Sequence, residues 1–341
     1  VKILHTEWMR GIGGQAKRVL KELEAIREFG YEPLLAAPPK SWIANEAQKR
    51  GIKTYEIDFK GALDVKSALK MLKIVKNEDI HIIHSHSSKE SYAALFAAKA
   101  AGKKFVRSRH MDLTKRAGLV YRMADAIITT GSKIKKELIN QGVKTPIYSI
   151  PSYPDRGEFF PSGELREKTR RSLGLKGVTV GALTGLKRDK RPHLLIQALK
   201  GEDVEVAVAG VSRDENYRQE FEKGAKGFGG YVGYMEPNAF LNAIDIYACP
   251  SKKEGVPQSV MQAMMVGLPV VSMDVGGISD LNVDGNLLLA KDFGEFKEHL
   301  QRVVRDPQLA KRLGEKNRQL ALRYFNEEVL KRELKRVYES L

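Results

Sequence analysis

A single cysteine, Cys249, in 341 residues leaves no partner for an internal disulfide. Its place in an apolar run makes it a packed thiol rather than a nucleophile. Nowhere does the chain approach the ~20 apolar residues that a membrane-spanning helix requires. It opens directly on VKILHT, without the charged and apolar regions of a signal peptide, so the expected location is the cytoplasm. The seven histidines are scattered, with no Cys or His cluster at ligand spacing, and no metal or other cofactor is expected. Aromatic residues make up 8% of the chain and are not interleaved with basic ones on a recognisable module, which argues against specific nucleic-acid recognition.

Positive charge, by contrast, is in excess. Lys and Arg number 58 against 42 Asp and Glu, a formal net charge of +16. Such a surface suits a polyanionic partner: nucleic acid, an anionic membrane, or a charged lipid or saccharide. High Lys, Arg and Glu content with one Cys is also what a heat-adapted surface looks like. The length suffices for two domains, each with its own core.

Short apolar runs alternate with helical periodicity from end to end, the pattern of an α/β chain with parallel sheets. VKILHT reads as a strand, the loop EWMRGIGG follows, and Val19, Leu20, Leu23, Ile26 and Phe29 then recur at helical spacing. Gly13 and Gly14 let the backbone come close to a ligand at that helix start. In VKSALKMLKIVK, Lys66, Lys70, Lys73 and Lys76 crowd the polar positions. The segment reads either as a helix lying on an anionic membrane or as a sheet-packing helix with its lysines in water. IHIIHSHSSKES and KKFVRSRHMDL are two further strand ends that run into polar loops.

The most informative stretch is CPSKKEGVPQSVMQAMMVGLPVVSMDVGG, Cys249 to Gly277. IDIYACP is an apolar run stopped by Pro250, and a helix is expected to start near Pro257 and stop at Gly267. LPVVSM supplies the next strand. One strand, loop, helix and strand place Glu254 at the carboxyl edge of a parallel sheet, where open α/β folds bind ligands. A helix N-terminus there favours an anion, whereas Glu254 just ahead of it suits hydroxyls. A sugar nucleotide has both.

Glu254, Gly255, Pro257, Ala263, Met264, Gly267, Pro269, Val270, Val271, Gly276 and Gly277 resemble the signature of the family 4 retaining glycosyltransferases of GT-B fold. One departure is Gln262, where the family has a second Glu that contacts ribose. The resemblance implies two Rossmann-like domains facing across a cleft: residues 1–155 binding acceptor, residues 156–322 binding nucleotide sugar, and residues 323–341 as a helix crossing back to the first domain. Family linkers carry an Asn-Gly-Val-Asp run where this chain has Ser152, Tyr153, Pro154 and Asp155.

By the same resemblance the catalytic residues are His110, Glu254 and Lys190. Donor binding falls to Gly13, Gly14, Lys187, Arg188, Met235, Gly255, Val256, Pro257, Gln258 and Gln262. His86, Ser87 and Arg109 are assigned to the acceptor side. The register of the basic loop stays open, since Ala182 occupies the commonest arginine position; Lys187 and Lys190 are assigned to the diphosphate with Arg188 as substitute. The SRH and SHSSKES segments resemble a subgroup that builds lipopolysaccharide and other cell-envelope glycans. The expected reaction is retaining, metal-independent hexosyl transfer from a nucleoside diphosphate sugar, UDP first, to a saccharide or lipid-linked acceptor, with peripheral contact to the inner membrane face. The alternatives are a GT-B sugar-nucleotide epimerase and a non-catalytic polyanion-binding protein.

Overall fold

A computed structural model describes residues 1–62, 64–110 and 116–341. The chain divides into two compact units, Val1–Ser152 with Leu330–Leu341, and Tyr153–Val329.

Unit one holds seven strands: β1 Lys2–Thr6, β2 Glu32–Ala37, β3 Lys53–Glu56, β4 Ile82–Ser85, β5 Lys104–Arg109, β6 Ala126–Thr129 and β7 Ile147–Ser149. They form one sheet in the order β3-β2-β1-β4-β5-β6-β7, with every pairing parallel. Parallel strands covered by helices on both faces read as near-continuous apolar runs. β1 and β4 fit this with one qualification: Leu4 and Ile83 point into the larger apolar cluster, while His5 and His84, aligned in register, point to the opposite face. Helix Gly14–Glu28 packs on that opposite face through Val19, Leu20 and Leu23.

Unit two holds β8 Thr179–Leu183, β9 Glu205–Ala209, β10 Gly229–Gly233, β11 Ile246–Cys249, β12 Val270–Met273 and β13 Leu288–Ala290. Their order is β10-β9-β8-β11-β12-β13, again all parallel. The α/β reading of the sequence therefore holds in both units. Strand order reverses direction between β1 and β4 in unit one and between β8 and β11 in unit two, and loops leaving the carboxyl ends at such a point diverge to leave a crevice.

The helix expected near Pro257 spans Gln258–Val266, with Pro257 as its extended N-cap rather than its first helical residue. Gly267 ends it at φ 90°, a left-handed conformation that glycine adopts without the Cβ clash. The lysine-rich segment forms helix Val65–Asn77, started by Asp64, whose side chain accepts from the Ser67 N–H. Ala68, Met71, Ile74 and Val75 are buried, whereas Val65 and Leu69 are 67% and 55% exposed.

Candidate active site

The carboxyl edge of unit two gathers most of the residues assigned to the donor. Beyond β8, Leu186 continues towards Ser212 as an isolated bridge, and Arg188–Lys190 forms one turn of 3-10 helix. Lys252 N–H donates to the Asp189 carbonyl at 2.8 Å, and Arg191 donates from Nε to the Pro250 carbonyl and from Nη2 to the Ser251 carbonyl. These bonds tie the β8 loop to the β11 loop. They bring Lys190 Nζ to 2.7 Å from Glu254 Oε1, a pair whose side chains are 24% and 13% exposed.

The glycine pair after β12 has a steric reason. A Cβ on Gly276 would lie 1.8 Å from the Glu254 carbonyl oxygen, and one on Gly277 would lie 2.6 Å from Val256 Cγ2. Gly276 also sits at φ 67°. Gly277 N–H donates to the Gly255 carbonyl at 2.8 Å. The loop Glu254–Val256 is thus clamped between two neighbours and held against the start of helix Gln258–Val266, where the helix dipole is positive. Gln258 and Gln262 lie one turn apart on that helix, both half-buried. Cys249 is a buried thiol whose pKa burial raises, as expected of a packed cysteine.

The remaining donor residues separate. Lys187 is exposed beside this site. Arg188 turns away to Glu220 at 2.8 Å and lies 4.9 Å over the Tyr217 ring, whereas Lys190 turns towards Glu254. Met235 is half-buried after β10, next to Tyr234 at 75% exposure, and the Glu236 carboxylate is spent capping helix Pro237–Ala243.

In unit one, His110 follows β5 and Arg109 ends it. Gly13 is the N-cap of helix Gly14–Glu28, and a Cβ there would meet Met9 Sδ at 2.7 Å, whereas a Cβ at Gly14 would meet open space. His86 is buried rather than open to an acceptor. Its Nδ1 is 3.3 Å from His110 Nε2 and its Nε2 is 2.9 Å from His5 Nδ1. Ser87 donates from its backbone N–H and its hydroxyl to the buried Glu90 carboxylate.

Around His86 lies a polar core that the sequence reading did not assemble. Tyr338 hydroxyl, from helix Glu327–Glu339, sits 3.0 Å from His5 Nε2 and 2.8 Å from His84 Nδ1; His84 Nε2 is 2.8 Å from Ser108 Oγ. Burial lowers the His5 pKa to about 3 and holds His84, His86 and His110 well below the ordinary histidine value. Glu22 is raised by burial against the opposing pull of Arg18, 2.7 Å away. Glu7, at the end of β1, is pushed up to about 7 by burial and by Glu90, while Gln15, Met9 and Trp8 donate to it. The His84-x-His86 spacing, which puts two imidazoles on one strand face, was the available signal.

Both halves of the chain match known families. Residues 166–320 match the glycosyl transferases group 1, and residues 12–153 match glycosyltransferase family 4. The chain belongs to the family 4 glycosyltransferases. It is 27% identical over 346 residues to the Escherichia coli UDP-Gal:alpha-D-GlcNAc-diphosphoundecaprenol alpha-1,3-galactosyltransferase, covering 90% of this chain and 88% of that one. A GDP-mannose-dependent alpha-mannosyltransferase from Mycobacterium tuberculosis is 24% identical, covering 89% and 86%. Among solved structures, Anabaena Alr3699/HepE in complex with UDP superposes with a TM-score of 0.88 at 18% identity, with both chains fully covered. This family 4 chain is a glycosyltransferase of GT-B fold, and neither the epimerase nor the polyanion-binding alternative is favoured. Among the described residues no helix is long and apolar enough to cross a membrane.

Proposed function

We propose that this glycosyltransferase moves a hexose-type sugar from UDP to a hydroxyl of a lipid-linked saccharide, with retention and without a metal at the diphosphate. One observation carries the reading: Lys190 and Glu254 are paired where the β8 and β11 loops meet, just ahead of the Gln258–Val266 helix N-terminus. Together they offer a cation and a helix dipole to a diphosphate and a carboxylate to sugar hydroxyls. When the donor binds, the diphosphate competes for Lys190 and frees Glu254 to accept from those hydroxyls.

In transfer, the bond between the anomeric carbon and the diphosphate oxygen breaks and a bond to the acceptor oxygen forms. The acceptor proton passes to the departing phosphate oxygen, so no separate base is needed. Negative charge grows on the leaving group, where Lys190 and the helix dipole oppose it; one preorganised donor at such a position is worth on the order of 3 kcal/mol. His110, which follows β5, is assigned to donor hydroxyls on the family resemblance alone.

UDP is favoured by the UDP-sugar of the E. coli relative and the UDP bound to Anabaena HepE, although the mycobacterial relative uses GDP-mannose. The diphosphoundecaprenol acceptor of the E. coli relative supports a lipid-linked acceptor in envelope glycan synthesis. Peripheral contact with the inner membrane face is supported by Val65 and Leu69, exposed among Lys66, Lys70, Lys73 and Lys76. The test is product analysis by NMR with UDP-sugars and a prenyl-diphosphate saccharide in EDTA. An α-linked product from an α-linked donor supports the reading; an inverted product, or turnover only with added Mg2+, overturns it.

A further inference from the structure

Four buried side chains from separate parts of unit one converge on one point. His5 comes from β1, His84 from β4, His86 from the residue after β4, and Glu22 from helix Gly14–Glu28. One nitrogen or oxygen of each lies within 4.8 Å of the others. Glu22 Oε2 is 3.9 Å from His5 Nδ1, 3.9 Å from His84 Nδ1 and 3.7 Å from His86 Nε2. That oxygen has no hydrogen-bond partner, although it is fully buried and faces three imidazoles. A buried carboxylate oxygen left unsatisfied is costly, and an ion is one of the few groups that satisfies it.

We propose that His5, His84, His86 and Glu22 hold a divalent transition-metal ion, Zn2+ first, as a structural site of unit one. Zn2+ bonds of about 2.0–2.2 Å to nitrogen and oxygen make a tetrahedron with edges of about 3.3–3.5 Å. The three edges to Glu22 contract slightly to reach this, and the His5 to His86 edge, now 2.9 Å, opens slightly.

Each ligand imidazole also has an acceptor for its outer N–H: Tyr338 hydroxyl for His5 Nε2, Ser108 Oγ for His84 Nε2, and His110 Nε2 for His86 Nδ1. Such outer partners fix the tautomer and orientation of metal-bound histidines. Two hydrogen bonds give way to the ion, His5 Nδ1 with His86 Nε2 and Tyr338 hydroxyl with His84 Nδ1. Arg18 already shares the Glu22 charge. The filled site therefore carries net positive charge and depends on imidazole affinity, which selects Zn2+, Ni2+ or Cu2+ over Mg2+ and Ca2+. With all four ligands buried, the site is closed and structural rather than catalytic.

The test is titration of untagged, chelator-stripped, full-length protein with Co2+, which absorbs strongly in the visible when tetrahedral and weakly when octahedral. Expected are about one tetrahedral Co2+ per chain and a raised melting temperature, with Ser108→Ala weakening the affinity about tenfold and Glu22→Gln abolishing the band. A folded wild-type protein that shows no tetrahedral band and no thermal shift would overturn the proposal. So would Co2+ binding that Glu22→Gln and Ser108→Ala leave unchanged.

Discussion

In unit one, the imidazoles at the carboxyl ends of β1 and β4 are sealed: His5, His84 and His86 are at most 1% exposed and hydrogen-bond with one another and with Tyr338. In unit two, the corresponding groups beyond β8 and β11 are half-open, and Lys190 and Glu254 meet as a charged pair within reach of solvent. The same sheet edge thus carries a sealed, interlocked polar core in one unit and a half-open charged pair in the other. A buried polar network is stable only when its members are satisfied, whereas a ligand site needs partners that a substrate displaces. On the proposed function, unit two gives up its contact to a ligand while unit one keeps its own.

The largest effect expected from breaking this contrast is in unit two. Lys190→Ala should lower turnover by about 100 to 1,000-fold with little change in melting temperature; steady-state kinetics beside a thermal melt checks both halves. A loss of stability in place of turnover would make Lys190 as structural as the histidines.

Acid should act on the opposite unit. The four imidazoles have lowered pKa values in the folded state, His5 at about 3, so the unfolded chain binds their protons first and stability is lost as pH falls below about 6.5, opposed in part by the raised carboxyls of Glu7, Glu22 and Glu90. Each excluded proton changes stability by about 1.4 kcal/mol per pH unit in that window. Both tryptophans, Trp8 and Trp42, belong to unit one. In chelator-treated protein, tryptophan fluorescence should therefore report unfolding at a higher pH than far-ultraviolet circular dichroism does; coincident transitions would erase the distinction.

Tyr338→Phe removes the hydroxyl shared by His5 and His84 and should destabilise unit one by about 1–3 kcal/mol, read as a lower urea midpoint of tryptophan fluorescence. Arg188→Ala is the smallest change. Its guanidinium is an exposed partner of Glu220, and turnover should fall less than about fivefold. A drop as large as that of Lys190→Ala would mean that the loop rearranges to present Arg188 to the donor.

The loop and helix proposed to hold the donor were legible because their parts are contiguous. Glu254, Pro257, Gly267 and the Gly276–Gly277 turn lie in one stretch, and local turn and cap chemistry fixes their relation. The structure adds the reason for the glycines, a backbone approach that leaves no room for a Cβ at 276. Side-chain directions in the basic loop were not legible, since Arg188 turns outward through Glu220, 32 positions on, whereas Lys190 turns inward through Glu254. The histidine core was hidden further. It depends on His5 and His84 standing in register across the β1–β4 pairing, and on Tyr338 arriving from the far end of the chain. Beyond the His84-x-His86 spacing, no sequence rule carries that information, because it comes from strand order.

The central claim, a donor site in unit two that neutralises a diphosphate without metal, is tested most directly by calorimetric titration of UDP into wild type and Lys190→Ala, each in EDTA and in Mg2+, with tryptophan fluorescence confirming that unit one stays folded. The account predicts the same affinity in EDTA and in Mg2+, and binding at least about tenfold weaker in Lys190→Ala, consistent with loss of one charge-assisted contact. Binding that requires Mg2+, or that Lys190→Ala leaves unchanged, would contradict it.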